Sequence, residues 1–206
     1  MKYFGFCDPS GGSSDSMTLA VARASILGKK AVLVGTWEKK APFNPDIATE
    51  EFAGILAGYR LTTVVGDRYS AEWVATRFRS HGITYAPSQK TKSEIFLDFL
   101  ALVNSDRVRI PANRRLRAQL VSLERRVSRT GRDAVDHPPA AHDDLANAVA
   151  GALVLAAKPG RKLFVPTVIS FDESPAPGAP WVDPQAGKNL DDPFLELPGE
   201  RWTKIN

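Results

Sequence analysis

Three apolar segments of the chain end or begin with acidic side chains. Asp8 follows the run from Tyr3 to Cys7, Asp67 closes the segment LTTVVGD, and Asp143 and Asp144 open the segment LANAVAGALVLAA. The ends of neighbouring strands and helices can bring such side chains together. Carboxylates that converge in an apolar setting repel one another, so they either take up protons or bind a hard divalent cation such as Mg²⁺. Two such cations about 4 Å apart can clamp the attacking water and the leaving oxygen of a phosphodiester. The pattern therefore predicts a metal-dependent nuclease site.

The loop after Asp8, PSGGSSDS, is rich in glycine and serine, which raises the alternative of a phosphate-binding loop. A P-loop needs the pattern G-x-x-x-x-G-K-[ST] at the start of a helix, because backbone amides and a lysine bind the phosphates. This loop has no lysine, and the alternating segment MTLAVA that follows it is typical of a strand. We interpret the loop as a hairpin turn, in which Asp15 either shapes the turn or serves as an accessory metal ligand.

The acidic pair before the last apolar segment leaves two roles open. Negative charge is favourable at a helix N-terminus by itself, so one of the two carboxylates is expected to serve only that purpose. Asp144 lies nearer to the packing stripe of Leu145 and Val149 and ranks above Asp143 as a metal ligand. His142 is interpreted either as a proton carrier near the metal or as a hydrogen-bonded residue at the helix start.

Length and composition predict one α/β domain with an appendage, because 206 residues that are 43% hydrophobic can bury a proper core. The single cysteine, Cys7, lies inside an apolar run, which excludes a disulfide framework and a thiolate zinc site and fits a reducing cytoplasm. No apolar run approaches the roughly 20 residues of a membrane span, and the N-terminal run is too short for a signal peptide. We expect a soluble cytoplasmic protein with no membrane partner.

Positive charge is concentrated in one part of the chain. Residues 1–158 carry 22 Lys and Arg against 16 Asp and Glu, and residues 107–132 hold nine arginines against one acid. Such a local excess suits a polyanion, and nucleic acid is the expected partner.

The predicted DNA contacts lie on a helix from Asn113 to Val127. Its apolar stripe places three arginines on the solvated side, and a second basic surface includes two lysines near residue 90. The stripe consists of Leu116, Leu120, Leu123 and Val127; the predicted DNA-binding residues are Arg114, Arg125 and Arg129, with Lys90 and Lys92 on the second surface.

Periodicity and turn residues predict an alternating order of elements. Strands are predicted at 3–7, 16–24, 30–37, 61–67, 83–87 and 107–111, and helices at 45–58, 70–79, 91–103, 113–127 and 142–157, with a loop at 131–141. Residues 159–206 hold eight of the 15 prolines and show no sustained period, so we predict a domain at 1–158 and an extended or disordered tail at 159–206.

An order of β-β-β-α-β-α, with acids at the first strand, the fourth strand and the last helix, resembles the ribonuclease H-like (integrase-like) α/β fold, a mixed central sheet flanked by helices. The strings DPSGGSSDS, VVGDRYSAEW, QKTKSEIFLDFLALVNSDRVRIP and AAHDDLANAVAGAL go further. Together they resemble the nuclease domain of the large subunit of tailed-phage terminases, over about residues 1–158.

This resemblance implies a two-metal endonuclease that uses Mg²⁺ or Mn²⁺ and cuts concatemeric viral double-stranded DNA with low sequence specificity in the host cytoplasm. The implied catalytic and metal-binding carboxylates are Asp8, Asp67 and the pair Asp143 and Asp144, with Asp15 as an accessory ligand. The implied partners are an ATPase domain upstream of the nuclease, the portal and the small terminase subunit.

Two features depart from the family pattern. The full subunit has an ATPase domain with a Walker motif before its nuclease domain, whereas this chain begins at the first nuclease strand, as an excised domain or a naturally short product would. Many relatives have Asp where this chain has Asn147, which leaves open the number of ligands on the last helix.

Two other functions stay open at this point. A Holliday-junction resolvase or transposase of the same fold would usually carry its own dimer surface or target-reading domain, and the sequence shows neither. A non-enzymatic DNA-clamping or motor-docking module would carry the acidic cluster as a vestige, and metal-dependent cleavage would distinguish it from a nuclease.

Overall fold

The computed structural model describes residues 1–25, 30–68, 71–127, 133–139 and 141–157. Three predicted features lie outside these residues, namely the tail at 159–206, the DNA-binding residue Arg129 and Ser70, the first residue of the predicted helix at 70–79. The described elements are β1 (Tyr3–Asp8), β2 (Met17–Ala24), β3 (Ala31–Lys39), α1 (Pro45–Gly58), β4 (Thr63–Gly66), α2 (Ala71–Ser80), β5 (Thr84–Pro87), α3 (Lys92–Asn104), β6 (Val108–Arg109), α4 (Arg114–Ser122), β7 (Glu124–Val127), β8 (Asp133–Asp136) and α5 (Asp144–Ala156).

The central sheet has six strands in the order β5-β4-β1-β2-β3-β6. The first three strands form an antiparallel meander, and β4, β5 and β6 join its two edges in parallel. Strands β7 and β8 form a separate antiparallel hairpin. The predicted mixed sheet with flanking helices is confirmed.

Two apolar cores cover the two faces of the sheet. Helices α1 and α2 pack on one face, where Phe52 and Phe78 are fully buried. Helices α3, α4 and α5 pack on the other face, where Phe99 of α3, Leu116 of α4 and Val149 of α5 are buried. Side chains alternate along a strand, so each strand of the meander contributes to both cores.

Helix α5 lies close against the centre of the sheet because one of its positions has no side chain. A Cβ atom built on Gly151 would lie 2.4 Å from the ring of Phe6 on β1, so only glycine fits at this crossing. Asn147 lies about one turn before Gly151, and Asp8 lies two residues beyond Phe6. The distance from Gly151 back to Asn147 along α5 and the distance from Phe6 to Asp8 along β1 are both about 6 Å. The side chains of Asn147 and Asp8 are therefore in contact.

The predicted helix from Asn113 to Val127 is wrong in its last five residues. Helix α4 ends at Ser122, and β7 takes the following residues because β8 supplies strand hydrogen bonds to them. Leu123 still packs against the core, but Val127 is 67% exposed. The helical spacing of this last apolar residue is therefore coincidental, and Arg125 lies on the hairpin rather than on the helix.

The predicted loop at 131–141 is also corrected, since it contains β8. Within the described ranges, no helix is both long enough and apolar enough to cross a membrane.

Candidate metal centre

Asp8 and Asp67 are neighbours at the ends of two parallel strands. The register of β1 and β4 aligns Phe6 with Val65, so Asp8 and Asp67 both follow two residues later at the same edge of the sheet. Phe6 and Val65 contribute to the core under α5. Because side chains alternate along a strand, the two carboxylates are directed to this same face.

The backbone at Asp67 is held by a buried tyrosine. The hydroxyl of Tyr85 on β5 donates a hydrogen bond to the carbonyl oxygen of Asp67 at 2.7 Å. A Cβ on Gly66 would lie 2.3 Å from that hydroxyl oxygen and 2.4 Å from the carbonyl oxygen of Cys7. Glycine at this position therefore allows β1, β4 and Tyr85 to come together just before the carboxylate.

Helix α5 joins the site through two hydrogen bonds near its N-terminus. The side-chain amide of Asn147 donates to Oδ2 of Asp8 at 3.0 Å. Thr18, the partner of Asp8 on β2, donates its hydroxyl to the carbonyl oxygen of Asp144 at 2.8 Å. Both Thr18 and Asn147 are buried, so these bonds position the start of α5 over the end of β1.

The N-terminus of α5 is capped by a residue from another helix. The backbone amide of Ala146 donates to the side-chain oxygen of the buried Gln119 on α4 at 2.9 Å. Asp143 is at the N-cap position but makes no side-chain capping hydrogen bond. The carboxylate of Asp143 is therefore available for other contacts, described below.

The pKa of Asp8 is raised from 3.8 to about 8, and burial is the largest cause. The hydrogen bond from Asn147 lowers the pKa, but the carboxylates of Asp144, Asp67 and Asp143 raise it further, in that order. The structure thus brings all four predicted carboxylates into electrostatic contact around Asp8. Such a group keeps a proton at neutral pH unless a cation replaces it.

Burial also raises the pKa of Asp144, followed by the effect of Asp143. His142 and a hydrogen bond from the backbone of Ser16 oppose this increase, and Asp15 adds to it. Oδ2 of Asp144 and Oδ1 of Asn147 are buried and accept no hydrogen bond. Unsatisfied buried oxygens are costly, and oxygen atoms are the ligands that Mg²⁺ prefers, so these residues fit a divalent cation.

Asp15 is an exposed residue of the turn between β1 and β2. The Ser14 hydroxyl donates to its carboxylate at 3.2 Å, and the Ser10 hydroxyl donates to its carbonyl oxygen at 2.7 Å. Asp15 shapes the turn through these contacts, and its charge still reaches Asp144.

Asp143 has different neighbours from the other three carboxylates. It is 3% exposed, and its Oδ2 lies 2.7 Å from Nζ of Lys92, the first residue of α3. The same ammonium lies 3.0 Å from Oδ1 of Asp136 at the end of β8, and Nε2 of His137 lies 3.7 Å from Oδ1 of Asp143. Burial lowers the pKa of Lys92, but Asp143 and Asp136 outweigh this effect and raise it overall.

Glu38 is a further acid in the same row of the sheet, since Asp8 pairs with Thr18 and Thr18 pairs with Glu38. Two strand spacings, about 10 Å, separate Glu38 from Asp8. Its carboxylate is buried and lies 2.6 Å from the guanidinium of Arg115 on α4. Arg115 therefore neutralises Glu38 separately from the central cluster.

The predicted DNA-binding residues occupy several elements. Arg114 is exposed at the start of α4, and Arg125 is exposed on β7. Lys90 forms an ion pair with Asp98, and Lys92 is engaged by Asp136 and Asp143.

Sequence reasoning did not find Asp136 and His137. With Asp143, they form a group whose ligand atoms all lie within 4.8 Å of one another. The sequence did contain a signal for Asp136, because the segment DAVD is a short alternating run that ends in an acid. The apolar runs that end at Asp8 and Asp67 have the same pattern. The adjacent HPPAA segment suggested a loop instead.

Comparison with known proteins agrees with this geometry. Residues 62–156 match the family described as Terminase RNaseH-like domain. No curated protein matches the chain significantly by sequence.

Solved structures share the fold at low sequence identity. The large terminase nuclease from thermophilic phage G20c is 18% identical, with a TM-score of 0.62, over 73% of this chain and 80% of that one. The same nuclease with bound magnesium is 16% identical, with a TM-score of 0.59, over 74% and 81% of the two chains.

The HK97 bacteriophage large terminase is 14% identical, with a TM-score of 0.60, over 75% of this chain and 39% of that one. The segment that matches the family contains Asp67, the acidic pair of α5 and the hairpin, and the fold around it is that of large terminase nucleases. Residues 62–156 of this chain are therefore similar to a terminase RNaseH-like domain.

Proposed function

We propose that this chain is a divalent-metal-dependent endonuclease that hydrolyses phosphodiester bonds of double-stranded DNA with low sequence specificity during phage genome packaging. The observation that carries the proposal is the convergence of Asp8, Asp67 and Asp144 on one face at the sheet edge, together with the unsatisfied buried oxygen of Asp144. The family match and the magnesium-bound relative support the same chemistry.

Asp8, Asp67 and Asp144 are the residues that would hold the divalent cations. When bound, Mg²⁺ or Mn²⁺ would supply the charge that activates a water molecule and stabilises the leaving oxygen. Asn147 orients Asp8 through its amide, and Thr18 fixes the backbone of Asp144. These contacts come from a strand and a helix of the core, so the carboxylates are held in place before any ion arrives.

DNA binding is proposed for the exposed arginines of α4 and the hairpin. Arg114 and Arg125, with Arg129, would contact phosphates without sequence selection. In the packaging motor, we propose that the domain works with an upstream ATPase domain, the portal and the small terminase subunit.

Nicking of supercoiled plasmid tests the proposal. We expect nicking with Mn²⁺ or Mg²⁺ and none with a chelator. Asp8→Asn and Asp67→Asn should each abolish nicking, because each removes a ligand charge. Asp46→Asn is the matched control, since Asp46 lies in the first turn of α1 on the opposite face of the sheet and should nick as the wild type does.

Two outcomes would favour the alternatives. Folded wild-type protein that binds DNA but never nicks it with either metal would indicate a DNA-clamping module. Strong preference for four-way junctions over linear duplex would indicate a resolvase.

A further inference from the structure

Lys92 is the cation that contacts the acidic side chains on the hairpin side of the site. Its ammonium lies 2.7 Å from Asp143 and 3.0 Å from Asp136, and the side chain is 29% exposed. Its position is fixed by α3, which begins with a complete capping box between Thr91 and Glu94. The capped start of α3 therefore fixes the backbone from which the Lys92 side chain extends.

The adjacent residue ties the hairpin to the same helix start. The Ser93 hydroxyl accepts from the backbone amide of Val135 at 3.0 Å and donates to its carbonyl oxygen at 3.3 Å. These bonds hold the end of β8 beside Lys92. Asp136 and Asp143 consequently both contact the ammonium, and together with His137 they form a group whose possible ligand atoms lie within 4.8 Å of one another.

We propose that Lys92 is a positioning residue that substitutes for a metal ion beside Asp143, and so confines metal binding to Asp8, Asp67 and Asp144. The inference rests on the proposed metal-dependent function but concerns a different part of the acidic cluster. The ammonium forms ion pairs with both Asp136 and Asp143, and its charge would repel a second cation at the same place. Without the Lys92 ammonium, the carboxylates of Asp136 and Asp143 and the imidazole of His137 would form a site that suits Mn²⁺.

Counting bound Mn²⁺ tests this inference without measuring activity. Free Mn²⁺ is quantified by electron paramagnetic resonance during titration of the wild type, Lys92→Met and Lys92→Arg. Met keeps the length and apolar stem of the side chain but removes the charge, whereas Arg keeps the charge. We expect Lys92→Met to bind one more Mn²⁺ ion per chain than the wild type and Lys92→Arg to bind the same number.

The extra ion should depend on the residues that Lys92 contacts. The double variant Lys92→Met with Asp143→Asn should return to the wild-type number of ions. An unchanged number of ions in folded Lys92→Met would overturn the inference.

Lys92→Met leaves Asp143 buried without its cation and so risks misfolding. Asp143→Asn alone then provides the test, because it removes the buried charge. We expect wild-type Mn²⁺ stoichiometry and an affinity within about twofold of wild type. Loss of an ion in Asp143→Asn would show that Asp143 is a ligand and would overturn the inference.

The two proposals fail in distinguishable ways. If Asp8→Asn binds as much Mn²⁺ as the wild type, the proposed metal centre fails, whatever the Lys92 variants do. If Asp8→Asn loses Mn²⁺ and Lys92→Met gains none, only the role of Lys92 fails.

Discussion

At the scale of single residues, Asp8 combines two environments that seldom occur together at one carboxylate. It is anchored by the amide of Asn147, and it faces the charges of Asp67, Asp143 and Asp144. Without a cation, the least costly response is to bind a proton. The pKa of about 8 means that this proton is still bound at neutral pH.

The pKa of Asp8 predicts how the stability of the metal-free protein changes with pH. The unfolded chain has an Asp pKa of about 3.9, and the folded chain has one of about 8. Between these values the folded state binds more protons, so the free energy of unfolding should fall as pH rises. Melting with chelator present at pH 5, 6, 7 and 8 measures this decline.

The Asp8→Asn variant is the control for this pH dependence. It should lose most of the decline and should melt higher than the wild type at pH 8, because it carries no charge among the remaining acids. A wild-type melting temperature that rises steadily from pH 5 to pH 8 would contradict the assignment.

Asn147→Asp should destabilise the metal-free protein, and added metal should remove this destabilisation. Asn147 is 2% exposed and lies within hydrogen-bonding distance of Asp8. Without metal, a new carboxylate at this position should therefore cost about 3–5 kcal/mol of unfolding free energy. With Mn²⁺ in excess, the extra charge should tighten metal binding and restore the melting temperature. Asn147→Ala is the control, since it removes only the hydrogen bond. Equal destabilisation of the Asp variant with and without Mn²⁺ would count against a metal beside Asp8.

At the scale of elements, sequence patterns located the strand ends and the last helix well. Asp8 and Asp67 each close an apolar run, and alternation along neighbouring strands is enough to place them together. The buried stripe of α5 was equally clear, since Leu145, Val149 and Leu153 are all fully buried. These features depend on local burial patterns, which a sequence displays directly.

Features that depend on distant partners could not be predicted in this way. β7 forms a strand because β8 pairs with it, and β8 is held by Ser93 on α3. The ion pairs of Lys92 could not be predicted because its carboxylate partners, Asp136 and Asp143, lie more than 40 residues further along the chain. No local periodicity reports such contacts.

Arg114 lies on α4 and Arg125 lies on β7, and the DNA-binding role proposed for them and for Arg129 can be tested. Each phosphate that an arginine no longer neutralises should reduce the slope of log affinity against log salt by about 0.9. Replacement of Arg114, Arg125 and Arg129 by Ala should therefore weaken DNA binding equally for two unrelated duplexes, with Ca²⁺ present to limit cleavage. Metal binding should not change.

The matched control is Arg79→Ala, because Arg79 belongs to α2, whose buried residues pack on the opposite face of the sheet. This variant should keep the wild-type salt slope. An unchanged slope in the triple variant would show that its arginines do not bind phosphates.

At the scale of the whole molecule, the described residues already cover both faces of the sheet with helices. The last described helix, α5, ends at Ala156. Truncation after Lys158 should therefore leave one cooperative melting transition within about 3 °C of the full chain, a shift equivalent to about 1 kcal/mol. Metal-dependent nicking should persist. A broad, non-cooperative transition would show that residues 159–206 contribute to the folded core.

The hydrogen bond between Asp8 and Asn147 joins residues 139 positions apart. During translation, β1 leaves the ribosome before α5, so no nascent chain can hold Asp8 and Asp144 together until α5 has been synthesised. Contacts between distant parts of a chain also form late because loop closure has to come first. An incompletely synthesised copy therefore cannot assemble the proposed metal centre.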